Sequence, residues 1–165
     1  MTQTSKQILT MLAFVLPLFA MVFATIVPAR AQSVVTLIVT DPLTGIAISG
    51  YDPVSYFTES APGPGRADFE FIWQNVPWYF ASAANRDVFK NAPEIYAPQY
   101  GGHDGMGVSR GFVADSDARI FTVFKERLYM FYSAANREAF LLAPDAAART
   151  GTDKWPALSS QLSIN

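Results

Sequence analysis

The chain has 165 residues, with 12 Lys and Arg against 14 Asp and Glu, one histidine and no cysteine. No disulfide or thiolate chemistry is available to it, and the weakly acidic balance lacks the clustered Lys and Arg with which nucleic-acid binding displaces counterions. Its length suits one hydrophobic core of ordinary size, not two.

Met1 to Ala31 contains no acidic residue. Lys6 precedes an apolar run from Ile8 to Val27, and Ala29-Arg30-Ala31 places small residues at the −3 and −1 positions of a cleavage site. This order predicts a secretory signal over residues 1–31. The run of about 20 residues is also long enough to span a bilayer, so an uncleaved signal would be the membrane contact. Pro17 and the Ala-x-Ala exit favour cleavage. Both outcomes imply export and a periplasmic or secreted location. Removing 1–31 takes away Lys6 and Arg30, leaving 10 basic and 14 acidic residues and a formal charge of −4 on a single domain, 32–165.

Within that domain Val34–Val39 is rich in β-branched residues and reads as a first strand. Asp41-Pro42-Leu43-Thr44-Gly45 is a turn, and Ala47–Phe57 an irregular, turn-rich segment. Ala61-Pro62-Gly63-Pro64-Gly65 is a loop, since two prolines and two glycines leave no usable ladder. Phe69–Trp73 and Trp78–Ala81 flank the turn Gln74-Asn75-Val76-Pro77. Ile120–Phe124 and Leu128–Tyr132 flank Lys125-Glu126-Arg127. Each of these hairpins runs into a helix. The aromatics on the strands, Phe69, Phe71, Trp73, Trp78, Phe80, Phe121, Tyr129 and Phe131, read as core.

The two hairpin–helix segments repeat. Ser82-Ala83-Ala84-Asn85-Arg86 recurs 51 residues later as Ser133-Ala134-Ala135-Asn136-Arg137, and eight of the twelve pairs from Ser82/Ser133 to Pro93/Pro144 are identical. Each serine fits an N-cap. Each Ala-Pro pair marks a helix end. Asn85 and Asn136 read as cap partners, and Arg86 and Arg137 as solvated or paired with a carboxylate. The fold class predicted is α+β: one antiparallel sheet built from two β-hairpin–helix repeats, with the helices packed on one face.

Three stretches, Ile46-Ala47-Ile48-Ser49-Gly50-Tyr51-Asp52-Pro53-Val54-Ser55-Tyr56-Phe57, Trp78 to Phe89, and Tyr96-Ala97-Pro98-Gln99-Tyr100-Gly101-Gly102, resemble the exported bacterial branch of the YHS domain family over roughly Ile46 to Trp155. The resemblance implies a binding domain of the kind found in metal-handling proteins, where cysteines follow Asp-Pro-Val and mark the helix entry. Here Ser55, Ala81 and Asn85 occupy those positions, so the thiolate site does not carry over. Asp104 stands where exported relatives have a later cysteine.

One constellation offers chemistry. His103, the only histidine, is followed by Asp104 and Met106 among four glycines, which permit unusual backbone angles and a close ligand approach. Imidazole, carboxylate and thioether suit copper; imidazole and carboxylate alone suit zinc or nickel. Asp52, Tyr100 and Met130 are candidates to complete such a site. The alternative is a turn whose histidine satisfies a local hydrogen bond. Ser109 beside His103 and Asp104 lacks the Gly-x-Ser-x-Gly elbow of a hydrolase. The functional expectation is an exported YHS-type binding protein taking a transition metal through His103, Asp104 and Met106. The alternatives are a metal-free module binding an envelope protein, or an enzyme of unrecognised type.

Overall fold

A computed structural model describes residues 36–164 of the chain. The signal expected over 1–31, and Val34 and Val35 of the expected first strand, lie outside the described residues. The architecture is α+β. Among the described residues, short 3-10 turns at Ile48–Gly50 and Gln99–Gly102 accompany six α-helices and four strands: α1 Ser55–Thr58, β1 Arg66–Trp73, β2 Val76–Phe80, α2 Ala83–Asn91, α3 Pro93–Tyr96, α4 Gly105–Arg110, β3 Asp117–Phe124, β4 Arg127–Phe131, α5 Ala134–Leu141 and α6 Pro144–Ser159.

Both hairpins form as expected, with tighter turns. Gln74 and Asn75 have φ of 51° and 63°, and Lys125 and Glu126 have 50° and 57°. Two adjacent left-handed residues match the right-handed twist of the strands they join. Each turn is therefore two residues long, and Val76, Pro77 and Arg127 belong to strands. β1 pairs with β2 through Phe71 opposite Trp78 and Trp73 opposite Val76; β3 pairs with β4 through Phe121 opposite Met130 and Phe124 opposite Arg127. A shift in register falls between Arg66 and Glu70 in one hairpin and between Asp117 and Phe121, 51 residues on, in the other.

The hairpins do not join one sheet. Among the described residues each is a separate two-stranded antiparallel sheet, which corrects the single sheet expected from the sequence. A two-stranded ribbon has too little buried face to stand alone, and each leans on its own helix. Ser82 Oγ accepts the N–H of Asn85 at 3.1 Å and caps α2. Ser133 Oγ accepts that of Asn136 at 3.2 Å and caps α5. Phe89 of α2 then packs on Trp78 and Phe80, with centroids 5.3 and 5.1 Å away. Phe140 of α5 packs on Tyr129 and Phe131 at 4.9 and 5.3 Å.

Two apolar clusters result, and β4 divides them. Leu128 and Met130 point into the cluster containing Ile38, Ile48, Trp78, Phe80 and Phe89. Tyr129 and Phe131 point into the one containing Tyr100, Val108 and Phe140. Side-chain alternation along a strand produces this division, and β4 is accordingly buried on both faces from Leu128 to Phe131.

Two further differences concern the chain ends. The expected first strand is an extended strap held by isolated bridges at Thr36 and Thr40, with Leu37 N–H donating to Ser163 at 2.8 Å and Val39 N–H to Gly101 at 2.8 Å. Beyond Leu141 a 16-residue helix, α6, starts with Pro144 in its first turn, where a missing N–H costs nothing. Among the described residues no helix is long and apolar enough to cross a membrane.

Candidate functional site

The glycine-rich segment around His103 is more ordered than a loop. Tyr100, Gly101 and Gly102 have φ of 58°, 62° and 87°, and the chain then enters α4 with Asp104 as its N-cap. Gly101 is required twice over: its φ is left-handed, and a Cβ there would strike the carbonyl oxygen of Leu37. The strap residues 36–39 therefore lie directly over this turn.

His103 is fully buried. Its Nε2 lies 2.9 Å from the carbonyl of Thr36; a carbonyl can only accept, so Nε2 carries a ring hydrogen. Its Nδ1 is 3.4 Å from Asp115 Oδ1 but poorly aligned, and remains a buried nitrogen without a hydrogen-bond partner. The ring also lies 5.9 Å from that of Trp155. Interaction with His103 holds the Asp115 carboxyl below its ordinary range, against a smaller opposing effect of burial. A depressed carboxyl stabilises the fold above its unfolded pKa of about 4, and that contribution disappears as pH falls through the folded value. Asp115→Asn is thus expected to cost under about 1 kcal/mol near neutral pH, because the Asp115 side chain is 71 % exposed and solvent screens such pairs. Urea melts of the two proteins should converge as the pH falls through the lowered range in which Asp115 takes up its proton.

Asp104 is also fully buried. Oδ1 accepts the N–H of Met106 at 3.2 Å and Oδ2 accepts the side-chain amide of Asn136 at 2.5 Å. The first half of the domain contains the same arrangement. Asp52 is fully buried; Oδ1 accepts Val54 N–H at 2.8 Å, and Oδ2 accepts Ala81 N–H at 2.8 Å and the Asn85 amide at 2.6 Å. Asn85 and Asn136, expected as cap partners, thus each tie a helix start to a buried carboxylate. Gly50-Tyr51-Asp52 and Gly102-His103-Asp104 occupy matching places, with Asp52 N–H donating to Gly63 and Asp104 N–H to Ala114, both at 2.9 Å. The second half differs in that Trp155 and the strap cover its ring residue, so His103 is sealed where Tyr51 is only half-buried.

The three residues expected to hold a metal are therefore distributed as follows. His103 faces Thr36 and Asp115, Asp104 caps α4 and receives Asn136, and Met106 packs against the second apolar cluster. The candidates to complete the site are also engaged. Asp52 accepts three hydrogen bonds, and Met130 is buried in the first cluster. Tyr100 donates its hydroxyl to Ala148 at 2.9 Å, and burial pushes its phenol up. Among the described residues no group of three or more His, Asp or Glu side chains is placed to hold a metal ion. No hydrogen bond joins the Ser109 hydroxyl to His103 among those residues.

Spacing alone gave no indication of a cleft of about 240 Å³ lined by Trp73, Trp78 and Trp155, the three tryptophans of the chain. Gln74, Pro98 and the strap at Leu37 and Ile38 complete much of its wall. Trp73 and Trp78 meet edge-on at 5.6 Å, and Trp78 Nε1–H donates to the carbonyl of Trp73 at 3.3 Å. Trp73 and Trp155 are half-buried. A second, more open recess of about 440 Å³ is lined by Ser49, Tyr51, Ser116, Asp117 and Arg119. There Arg119 already donates to both oxygens of Asp117, at 3.0 and 2.8 Å, so its charge is answered.

No protein-family model matches this chain, and no characterised protein or solved structure is detectably similar to it.

Proposed function

We propose that this chain is an exported, YHS-like binding domain without enzymatic activity, and that it holds a small ligand in the cleft lined by its tryptophans. The observation that carries this reading is the convergence of Trp73, Trp78 and Trp155 on one concavity, while the buried carboxylates of Asp52 and Asp104 are committed to internal hydrogen bonds. An apolar, aromatic concavity with few polar groups is the usual form of a small-molecule site. The export signal predicted over 1–31 and the YHS-like motifs support an envelope location and a binding role.

A second reading, a transition metal such as copper, zinc or nickel at His103, is favoured by the buried Nδ1 that lacks a hydrogen-bond partner and lies near an exposed carboxylate. Asp104 and Met106 would have to leave their present partners to join it.

One preparation tests both. Protein purified from the cells that make it is denatured, and the released small molecules and metals are analysed by mass spectrometry and elemental analysis. The cleft reading expects an organic ligand in stoichiometric amount that is lost from Trp155→Ala and kept by His103→Ala. A stoichiometric metal lost from His103→Ala, with no organic ligand, would replace it with the second reading.

A further inference from the structure

The cleft has a composition that narrows its ligand, and we infer that it binds a trimethylammonium group, the cationic head of choline-class molecules. This inference rests on the tryptophan cleft being the binding site. Trp73 and Trp155, both half-buried, line a space of about 240 Å³ whose wall also includes the buried Trp78, and among its described lining residues no side chain is charged; Gln74 contributes the one side-chain amide. An anion would find no cationic partner there. A polyhydroxylated ligand would find a single side-chain amide, that of Gln74, and otherwise only backbone groups among the described lining residues. A quaternary ammonium differs from both: it carries charge but has no N–H to satisfy, and the negative face of an indole attracts it more strongly than any other side-chain ring.

Two other features fit that class. The chain carries a formal charge of −2, which becomes −4 once 1–31 is removed, so the field of the protein favours approach of a cation. The walls are also held in place before a ligand arrives. Trp78 is fixed by its bond to the Trp73 carbonyl and by Phe89 at 5.3 Å, Trp155 packs 5.6 Å from Tyr100, and Gly101 lets the strap close against the turn. A rigid aromatic enclosure loses little freedom on binding.

The test is a titration of the full chain, followed by tryptophan fluorescence, with choline and with its uncharged carbon isostere 3,3-dimethylbutan-1-ol. The two probes have nearly the same shape and differ in charge. Choline is expected to bind at least about tenfold more tightly. Trp155→Phe and Trp73→Phe, each checked for an unchanged unliganded melt, should narrow that ratio, since phenylalanine attracts cations less. Phosphatidylcholine vesicles distinguish the sources of the head group: co-sedimentation identifies a lipid, and choline binding without co-sedimentation a free solute. Equal binding of choline and the isostere would overturn the cationic class while leaving the cleft as a site for neutral ligands. Binding of neither would overturn the inference, and the cleft reading would then depend on the co-purified ligand alone.

Discussion

Asp52→Ala should lower the unfolding free energy by about 3–5 kcal/mol, a large share of the stability of a small domain. Asp52 is fully buried and is the common acceptor for Val54 N–H, Ala81 N–H and the amide of Asn85. Removing it strands three buried or half-buried donors, each of which loses a bond to a charged group. Through them it ties α1, the end of β2 and the start of α2 together. Asn85→Ala removes one donor and leaves Asp52 two, so it should cost about 1–2 kcal/mol. A double-mutant cycle read from urea melts should show coupling between the pair. Equal, additive losses under about 0.5 kcal/mol would mean that the carboxylate is solvated and the connection is absent.

Phe140→Ala should cost a comparable amount, about 3–5 kcal/mol. Its ring is fully buried and lies against Tyr129, Phe131 and, at 6.4 Å, Phe124. Truncation leaves a cavity walled by β4, which cannot shift toward it without withdrawing Leu128 and Met130 from the opposite cluster. Phe140→Leu keeps most of the volume and should cost markedly less. Guanidinium melts of both variants measure this; a loss below about 1 kcal/mol for alanine would show that the second core collapses freely and that β4 does not fix it.

Elements that carry their own local signal were legible in the sequence. The hairpins follow from alternating aromatics, α2 and α5 from serine caps and Ala-rich first turns, and the turn at 41–45 from Asp41, whose carboxylate accepts the N–H groups of Leu43 and Thr44. What escaped the sequence reading depends on contacts between distant residues. α6 contains Gly151, Thr150, Thr152 and Pro156, poor helix formers. It is held by tertiary contacts: Tyr100 donates to Ala148, and its hydroxyl lies 2.5 Å from where a Cβ on Gly151 would stand. Pro144 followed by Asp145 was the available start signal. The strap reads as a strand by composition, but its partners are the backbone at Gly101 and Ser163, far along the chain.

The candidate site was legible only in part. His103 stands out by being unique, and its burial beneath Trp155 and the strap has no local signature. The carboxylate pair escaped because Asp52 and Asp104 are separated by 52 residues while the hairpins recur at 51, so alignment at the shorter interval sets Tyr51 beside Gly102. The cleft gathers residues from around 37, 73–78, 97–101 and 155, stretches that no motif links.

The function proposed for this protein turns on where a ligand touches it. The measurement that addresses this is a ¹H–¹⁵N spectrum of the chain recorded during titration with choline. Each of the three indoles contributes one Nε1–H signal, and His103 contributes a ring Nε2–H. Saturable shifts of the Trp73 and Trp155 indole signals, with the His103 ring signal little changed, are the expected result. Shifts confined to His103 and Asp115, with all three indoles unmoved, would contradict the cleft and place binding at the buried imidazole.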